Sequence, residues 1–336
     1  KAGDIQSTAV TVTWTPGIQA DAIVCTPSAA NSSAKTVTYT LTATDISSGS
    51  ATVTGLEPET SYRATLKLGE KTRGYSTFTT NLDLRDAIQL TPTDDWVTAI
   101  QDAAAGSKFA LAAGEYTLTS AKLQINNNVT IAAQNSGNLP VINTCIHINN
   151  GSSLYLYQVV MDGTGTDGSQ AIEYKTAGGF GDLIISGSEI RNYVKGLIYI
   201  NVAAVANTIK IENSIIHDIE CSGGDFIDSR SGGWNNLIIS SSTFYSCSAK
   251  RDILRADDAS SKVSASMITS IDKCTFYNVG NGNANYRFFY LRFPGNTNTF
   301  TNNVVANFDN TRGFANSTSV GGPASYTHLR AHETSQ

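Results

Sequence analysis

Residues 225–257 read DFIDSRSGGWNNLIISSSTFYSCSAKRDILRAD. Two short segments in this stretch carry charges at alternate positions, Asp228/Arg230 and Arg255/Asp257. That is the period of a β-strand, whose side chains point to opposite faces in turn. Between them, LIISSSTFYS (237–246) is an apolar run interrupted by serines. The same pattern recurs at 154–163, 183–193, 209–219, 268–279 and 299–308. Anchored on Met161, Ile190, Ile216, Phe244, Phe276 and Val305, the steps are 29, 26, 28, 32 and 29 residues. Four residues after Ser188, Ser214, Ser242, Cys274 and Asn303 come Asn192, Asp218, Ser246, Asn278 and Asn307. A polar column of this kind suits a turn whose stacked side chains hydrogen-bond along an axis. The next column, Tyr193, Ile219, Cys247, Val279 and Phe308, is apolar and reads as interior.

A repeat of this length also occurs in helical arrays and leucine-rich repeats. Short β-branched runs with Asn and Gly turns argue against helices, and a recurring LxxLxL is missing. The remaining architecture is a parallel β-helix, one coil per repeat and three short strands per coil. Composition agrees. The 336 residues exceed one ordinary compact core, and only 15% are charged. The net charge of −5 gives no reason to expect nucleic acid. No apolar run is long enough to span a membrane. The chain opens on Lys1 rather than Met, which reads as a processed N-terminus, with a lipid anchor upstream of Lys1 one option. Cys25, Cys145, Cys221, Cys247 and Cys274 show no CxxC spacing and read as buried free thiols.

The expected class is all-β, in three parts: 1–80, 81–324 and a tail, 325–336. Residues 7–80 alternate strand and turn signals, including TVTYTLTA (36–43) as one strand. Trp14 is positioned to fill the core of this module. GLEPETSYRATL puts Tyr62 at the start of a late strand, which resembles the tyrosine corner of fibronectin type III domains. The module therefore reads as a fibronectin type III-like β-sandwich serving as a spacer. TDDWVTAIQDAAAG (93–106) reads as a short helix capped by Thr93 or Asp94, covering the open end of the coil stack. The tail SYTHLRAHETSQ breaks the repeat pattern, reads as non-native sequence, and contains His328 and His332 at helical metal-pair spacing without an evident third ligand.

A second strand follows each polar turn, at 171–176, 197–201, 226–230, 253–257 and 288–292. With Tyr174, Ile200, Ser229, Ala256 and Leu291 inside, two outward columns result: Glu173, Tyr199, Asp228, Arg255, Tyr290, and Lys175, Asn201, Arg230, Asp257, Arg292. Asp228 beside Arg255 and Arg230 beside Asp257 would form a checkerboard, each pair worth ~0.2–1 kcal/mol as a merely solvated face. Against that bland reading, a charge-poor chain concentrates Arg, Lys, Asp and Tyr here. Phe226, Phe288 and Phe293 add rings that could stack on sugars. Arginine forks suit carboxylate or sulfate, so an acidic polysaccharide is the expected ligand.

The repeat resembles the right-handed β-helix of the pectin-lyase-like superfamily over residues 83–320, and LAAGEYTL looks like a first coil of such proteins. Paired with a fibronectin-like module, it resembles secreted or cell-surface polysaccharide-utilisation proteins of gut-type bacteria. GDFIDSRS (224–231) followed by RDILRADD (251–258) looks like the layout of β-helical alginate and chondroitin lyases. The resemblance places Arg230 where that family has a lysine base and Arg255 where it has an arginine. It implies β-elimination on an acidic glycan, with calcium as the metal and Asp225 and Asp228 as the nearby candidates to hold it. Arg stays protonated and is a poor base, which leaves Lys175, Lys250 or Tyr290 for proton abstraction. Arg230, Arg255 and Arg292 would stabilise the enolate, while Lys175, Tyr199, Asp228, Asp257 and Arg292 would bind substrate. The alternatives are a non-catalytic glycan-binding protein using the same face, and a glycoside hydrolase using a carboxylate pair such as Asp228 and Asp257.

Overall fold

The computed structural model describes residues 1–28, 33–135, 137–248, 251–280, 286–308, 314–315, 324–327 and 330–331, the last two segments as backbone. Lys250, His328 and His332 lie outside the described residues. The chain divides into two compact units, Lys1–Asp86 and Ala87–Gln336.

The first unit has two antiparallel sheets. One runs Ala2–Ile5, Ala9–Thr13, Ser50–Thr54; the other runs Val37–Thr40, Ala22–Pro27, Ser61–Leu68, Lys71–Thr79. Alternation along these strands buries Val10, Ile23, Cys25, Val53, Tyr62 and Phe78. The Tyr62 hydroxyl accepts the Glu57 N–H at 3.0 Å, so the ring fills the core while its oxygen satisfies a turn. Two expectations change. Trp14 lies just beyond its strand, half-buried at the margin of the core. The strand expected over 36–43 stops at Thr40, and Ala43–Ser48 is a helix. The reason is a capping box: Thr42 accepts the Asp45 N–H, and Asp45 accepts the Thr42 N–H.

The second unit is a stack of coils with parallel strand pairing throughout. One ladder of ten strands begins with Ile88–Leu90, Ser107–Leu111 and Val129–Ala133 and ends with Thr297–Thr301 and Ala324–Thr327. A second ladder runs Val160–Asp162, Glu189–Arg191, Ile215–Ile219, Thr243–Cys247, Thr275–Val279, Val304–Ala306 and Arg330–Ala331. A third runs Ile172–Tyr174, Ile198–Ile200, Ile227–Ser229, Leu254–Ala256 and Phe289–Leu291. The second and third meet on the long strand Val141–Ile148, which pairs with the first strand of each. This is a parallel β-helix with three strands per coil. Residues 324–327, which span the start of the expected tail, and 330–331, which lie within it, extend two of its ladders.

The repeat anchors are direct partners: Met161 with Ile190, Ile190 with Ile216, Ile216 with Phe244, Phe244 with Phe276, and Phe276 with Val305. Phe244 and Phe276 stack at 4.8 Å between centroids. The five cysteines are buried and unpaired, and burial pushes the Cys221 thiol up to about 12. Asn192, Asp218, Ser246, Asn278 and Asn307 all have φ between 52° and 61°. Asn, Asp and Ser stand in this column because the backbone turns there through the left-handed region, which short polar side chains tolerate. Asn307 then donates to Asn278 at 2.9 Å along the axis. The serine column forms a second ladder: Ser214 Oγ accepts the Ser188 N–H at 3.1 Å, and Ser242 Oγ accepts the Ser214 N–H at 3.2 Å.

The helix Trp96–Gln101 lies before the first full coil, with Trp96 edge-on to Tyr116 at 5.7 Å. Its cap is Asp95, which accepts the Thr98 N–H; Asp94 instead accepts the Thr91 N–H. The expected Thr93 or Asp94 cap is thus displaced, because the Asp94 carboxylate is taken by the preceding turn.

Ser214→Ala removes the acceptor for the buried Ser188 N–H, and we expect a loss of about 1–3 kcal/mol in the unfolding of the second unit by urea.

Candidate functional site

The third ladder brings the expected charged row together. Glu173 pairs with Tyr199, Tyr199 with Asp228, Asp228 with Arg255, and Arg255 with Tyr290. Tyr174, Ile200, Ser229, Ala256 and Leu291 face inward and are buried. The Ser229 hydroxyl finds no hydrogen-bond partner there.

The checkerboard is rearranged. Arg230 grips Asp228 on its own strand, Nε to Oδ1 at 3.0 Å and Nη2 to Oδ2 at 2.9 Å. Arg255 likewise grips Asp257 on its own strand, at 3.1 and 2.9 Å. The connection between rungs is Asp225, whose Oδ2 accepts from Arg230 at 3.3 Å and from Arg255 at 3.2 Å. Its Oδ1 accepts the Asp252 N–H at 2.9 Å. Asp257 continues the chain to the next rung by accepting from Arg292 at 2.8 Å. Residues two apart on a strand share a face, so a long guanidinium folds back on its own strand as readily as it reaches a neighbour.

Sequence reasoning missed Asp252 and Arg287. Asp252 is buried and accepts from the Arg287 backbone N–H at 2.6 Å and its guanidinium at 3.1 and 3.2 Å. The repeat contained the signal: strand register places Gly196, Asp225, Asp252 and Arg287 in one column, three positions before the first outward row. Gly196 is required in that column, because a Cβ there would overlap the Asp225 carbonyl oxygen.

Burial divides the site into a base and a surface. Asp225 and Asp228 are 1% and 0% exposed, so Asp228 is a buried anchor rather than the outward substrate contact expected of it. Arg230, Arg255, Arg292 and Lys175 keep 33%, 21%, 43% and 40% of their side chains exposed. Tyr199 and Tyr290 are half-buried. Phe226, Phe288 and Phe293 are in the core and cannot stack on a ligand, because they lie just outside the strands Ile227–Ser229 and Phe289–Leu291, where the strand alternation does not hold. The Tyr290 ring has guanidinium carbons of Arg287, Arg292 and Arg255 at 3.6, 4.8 and 5.4 Å from its centroid. On the earlier rungs Lys175 binds Glu173 at 2.9 Å, and Glu173 also meets His147 at 3.5 Å.

The electrostatics follow. Burial, then the charges of Asp228 and Asp252, raise Asp225 to about 6, against the pull of Arg255 and the Asp252 N–H. Burial works against the ionised Asp257, but Arg255 and Arg292 hold it below the usual carboxylate range. Burial also opposes the charge on Arg255, yet its bonds to Asp257 and the charge of Asp225 leave it more firmly protonated than usual. Arg230 is likewise held protonated, first by its hydrogen bonds to Asp228. Neither arginine can act as a base here.

Calcium does not fit the expected pair. It takes about six to eight oxygen ligands, whereas the Asp225 and Asp228 carboxylates are occupied by arginines. Among the described residues no group of three or more His, Cys, Asp or Glu side chains converges as a metal site. No helix among them is long and apolar enough to cross a membrane.

Comparison with known proteins adds the following. Residues 114–247 match a domain of unknown function, DUF4957. No curated protein sequence matches the chain. A mutant of the PL6 family alginate lyase AlyGC superposes with a TM-score of 0.51 at 19% identity, covering 88% of this chain. The match spans 45% of that lyase, so this chain corresponds to less than half of it. The family 28 exopolygalacturonase of Yersinia enterocolitica gives a TM-score of 0.45 at 12% identity, covering 98% of this chain and 84% of that one. The lyase likeness is one of fold, the parallel β-helix.

Two outcomes are expected. Gly196→Ala forces the Asp225 segment away and costs about 1–3 kcal/mol in urea unfolding. The Asp225 pKa is raised, so its contribution to stability is complete below its ordinary 3.8 and is lost as pH rises through about 6. Across that window the stability of the native protein relative to Asp225→Asn should fall by about 2–3 kcal/mol. A difference independent of pH would remove Asp225 from this account.

Proposed function

We propose that the second unit is a carbohydrate-active β-helix that takes an acidic polysaccharide across its third ladder. The observation that carries this reading is the row of partly exposed cations Lys175, Arg230, Arg255 and Arg292 beside Tyr199 and Tyr290, spread over consecutive coils. Rungs spaced ~4.8 Å apart offer repeated contacts along an extended chain. Buried Asp225 and Asp228 pin Arg230 and Arg255 from beneath, so little side-chain entropy is lost when an anion binds there. The β-helix of the alginate lyase supports this reading by analogy of fold.

A second reading, β-elimination at the same face, is favoured by Tyr290. Elimination requires a base for the proton α to the uronate carboxylate and a cation for the resulting enolate. With both arginines clamped as cations, the phenol among three guanidinium groups is the described side chain best placed to exchange that proton. Hydrolysis is disfavoured. Asp228 is buried under Arg230, and Asp257 is held by two arginines. Secretion, a bacterial polysaccharide-utilisation setting and a fibronectin type III-like role for the first unit belong to the same proposal. The three-plus-four antiparallel sheets and the Tyr62 hydrogen bond support the last of these.

The test measures binding of alginate, pectate and glycosaminoglycan fragments by calorimetry, together with the ultraviolet absorbance of unsaturated uronides, the product of elimination. Arg292→Ala and Arg255→Ala should each weaken binding of an acidic glycan by roughly tenfold or more. Binding that both variants leave unchanged overturns the assignment of this face. Turnover that Tyr290→Phe abolishes while binding persists establishes elimination; binding without product from any acidic glycan leaves a binding protein.

A further inference from the structure

The second ladder carries a different surface. Its outward row is Asp162, Arg191, His217, Tyr245 and Tyr277, each paired in register with the next. The first members form a continuous ionic brace. Arg191 donates to Asp162 at 2.8 Å and to Glu189 at 2.5 Å. His217 meets Glu189 at 3.1 Å through Nε2 and Asp218 at 2.6 Å through Nδ1. Tyr245 stacks on the imidazole at 4.5 Å with an interplanar angle of 7°. One rung further, Tyr277 is 54% exposed.

Beside this row, the left-handed turn column lines a cleft of about 610 Å³. Its walls include Thr164, Asn192, Asp218, Glu220, Ser222 and Ser246. The lining offers hydroxyls, an amide and carboxylates, and it contains no Lys or Arg. It therefore lacks what a polyanion needs, in contrast to the arginine row of the third ladder.

We infer that this cleft, with the Tyr245–Tyr277 edge, is a second binding site that takes a neutral saccharide segment. Hydroxyl-rich ligands match a lining of mixed donors and acceptors. Tyr245 directly precedes Ser246 of the lining, and Tyr277 pairs with Tyr245 one rung on, so the two rings give a sugar an apolar face to rest on while its hydroxyls reach polar partners. The brace from Asp162 to Asp218 holds the platform rigid before binding, which limits the entropy lost on association. The inference stands on its own residues and does not require the acidic-glycan reading.

The experiment titrates the full chain by calorimetry with short gluco-, galacto-, manno- and xylo-oligosaccharides, with oligouronates as the acidic comparison. At least one neutral series should bind. Tyr277→Ala, a surface change, should weaken it by roughly tenfold. Glu220→Arg, which fills the cleft from an exposed position, should abolish it. Arg255→Ala should leave neutral binding unchanged, so loss of acidic-glycan binding and loss of neutral binding can be told apart. The inference is overturned if no neutral oligosaccharide binds. It is equally overturned if neutral binding survives both Tyr277→Ala and Glu220→Arg, or if Arg255→Ala removes it.

Discussion

The second unit depends on one constraint: every coil must return to the same backbone register as the coil before it. Parallel strands cannot be joined by a hairpin, so each coil closes through its own turns. Here one of those turns passes through the left-handed region at Asn192, Asp218, Ser246, Asn278 and Asn307. A turn of fixed shape at a fixed place lets coils of unequal length, from 26 to 32 residues between anchors, stack without losing register. Extra residues are accommodated elsewhere in the coil. Register in turn decides which side chains become neighbours, so it governs the core and both surfaces.

The two outward surfaces express this differently. On the third ladder, register aligns the column Gly196, Asp225, Asp252, Arg287 beside the face that carries Arg230 and Arg255. Buried carboxylates then hold arginines whose other edges reach solvent. A buried carboxylate is costly unless its lone pairs are filled, and Asp225 fills its own with two guanidinium groups and a backbone N–H. What remains of the cost appears as its raised pKa. On the second ladder the charges lie nearer solvent and terminate in stacked rings, beside a polar cleft whose lining holds no Lys or Arg.

The strand pattern, the repeat and the interior columns were legible in the sequence because they depend on period and stacking, which are properties of the chain order. Tyr193, Ile219, Cys247 and Val279 were readable as core from their place in the repeat, and they are buried. The pairings within the site were less legible. Alternation places Asp228, Arg230, Arg255 and Asp257 on one face but cannot say which carboxylate each guanidinium takes. Several partners lie within reach of so long a side chain, and small differences in burial choose among them. Asp252 and Arg287 escaped notice because they stand ahead of the alternating segments, in a column whose significance comes from Asp225 beside them.

By itself, then, the sequence determined the parallel β-helical coil, its register and the identity of the residues on its charged face, since these follow from residue type at repeated spacing. It also implied the Tyr62 corner of the first unit. Only the tertiary structure decided that Asp228 is a buried anchor, that Asp225 bridges two rungs, and that Phe226, Phe288 and Phe293 are core. The physical reason is common to all three. Burial and hydrogen-bond partnership are set by what lies on the adjacent coils, roughly thirty residues away in the chain and one strand spacing, ~4.8 Å, away in space.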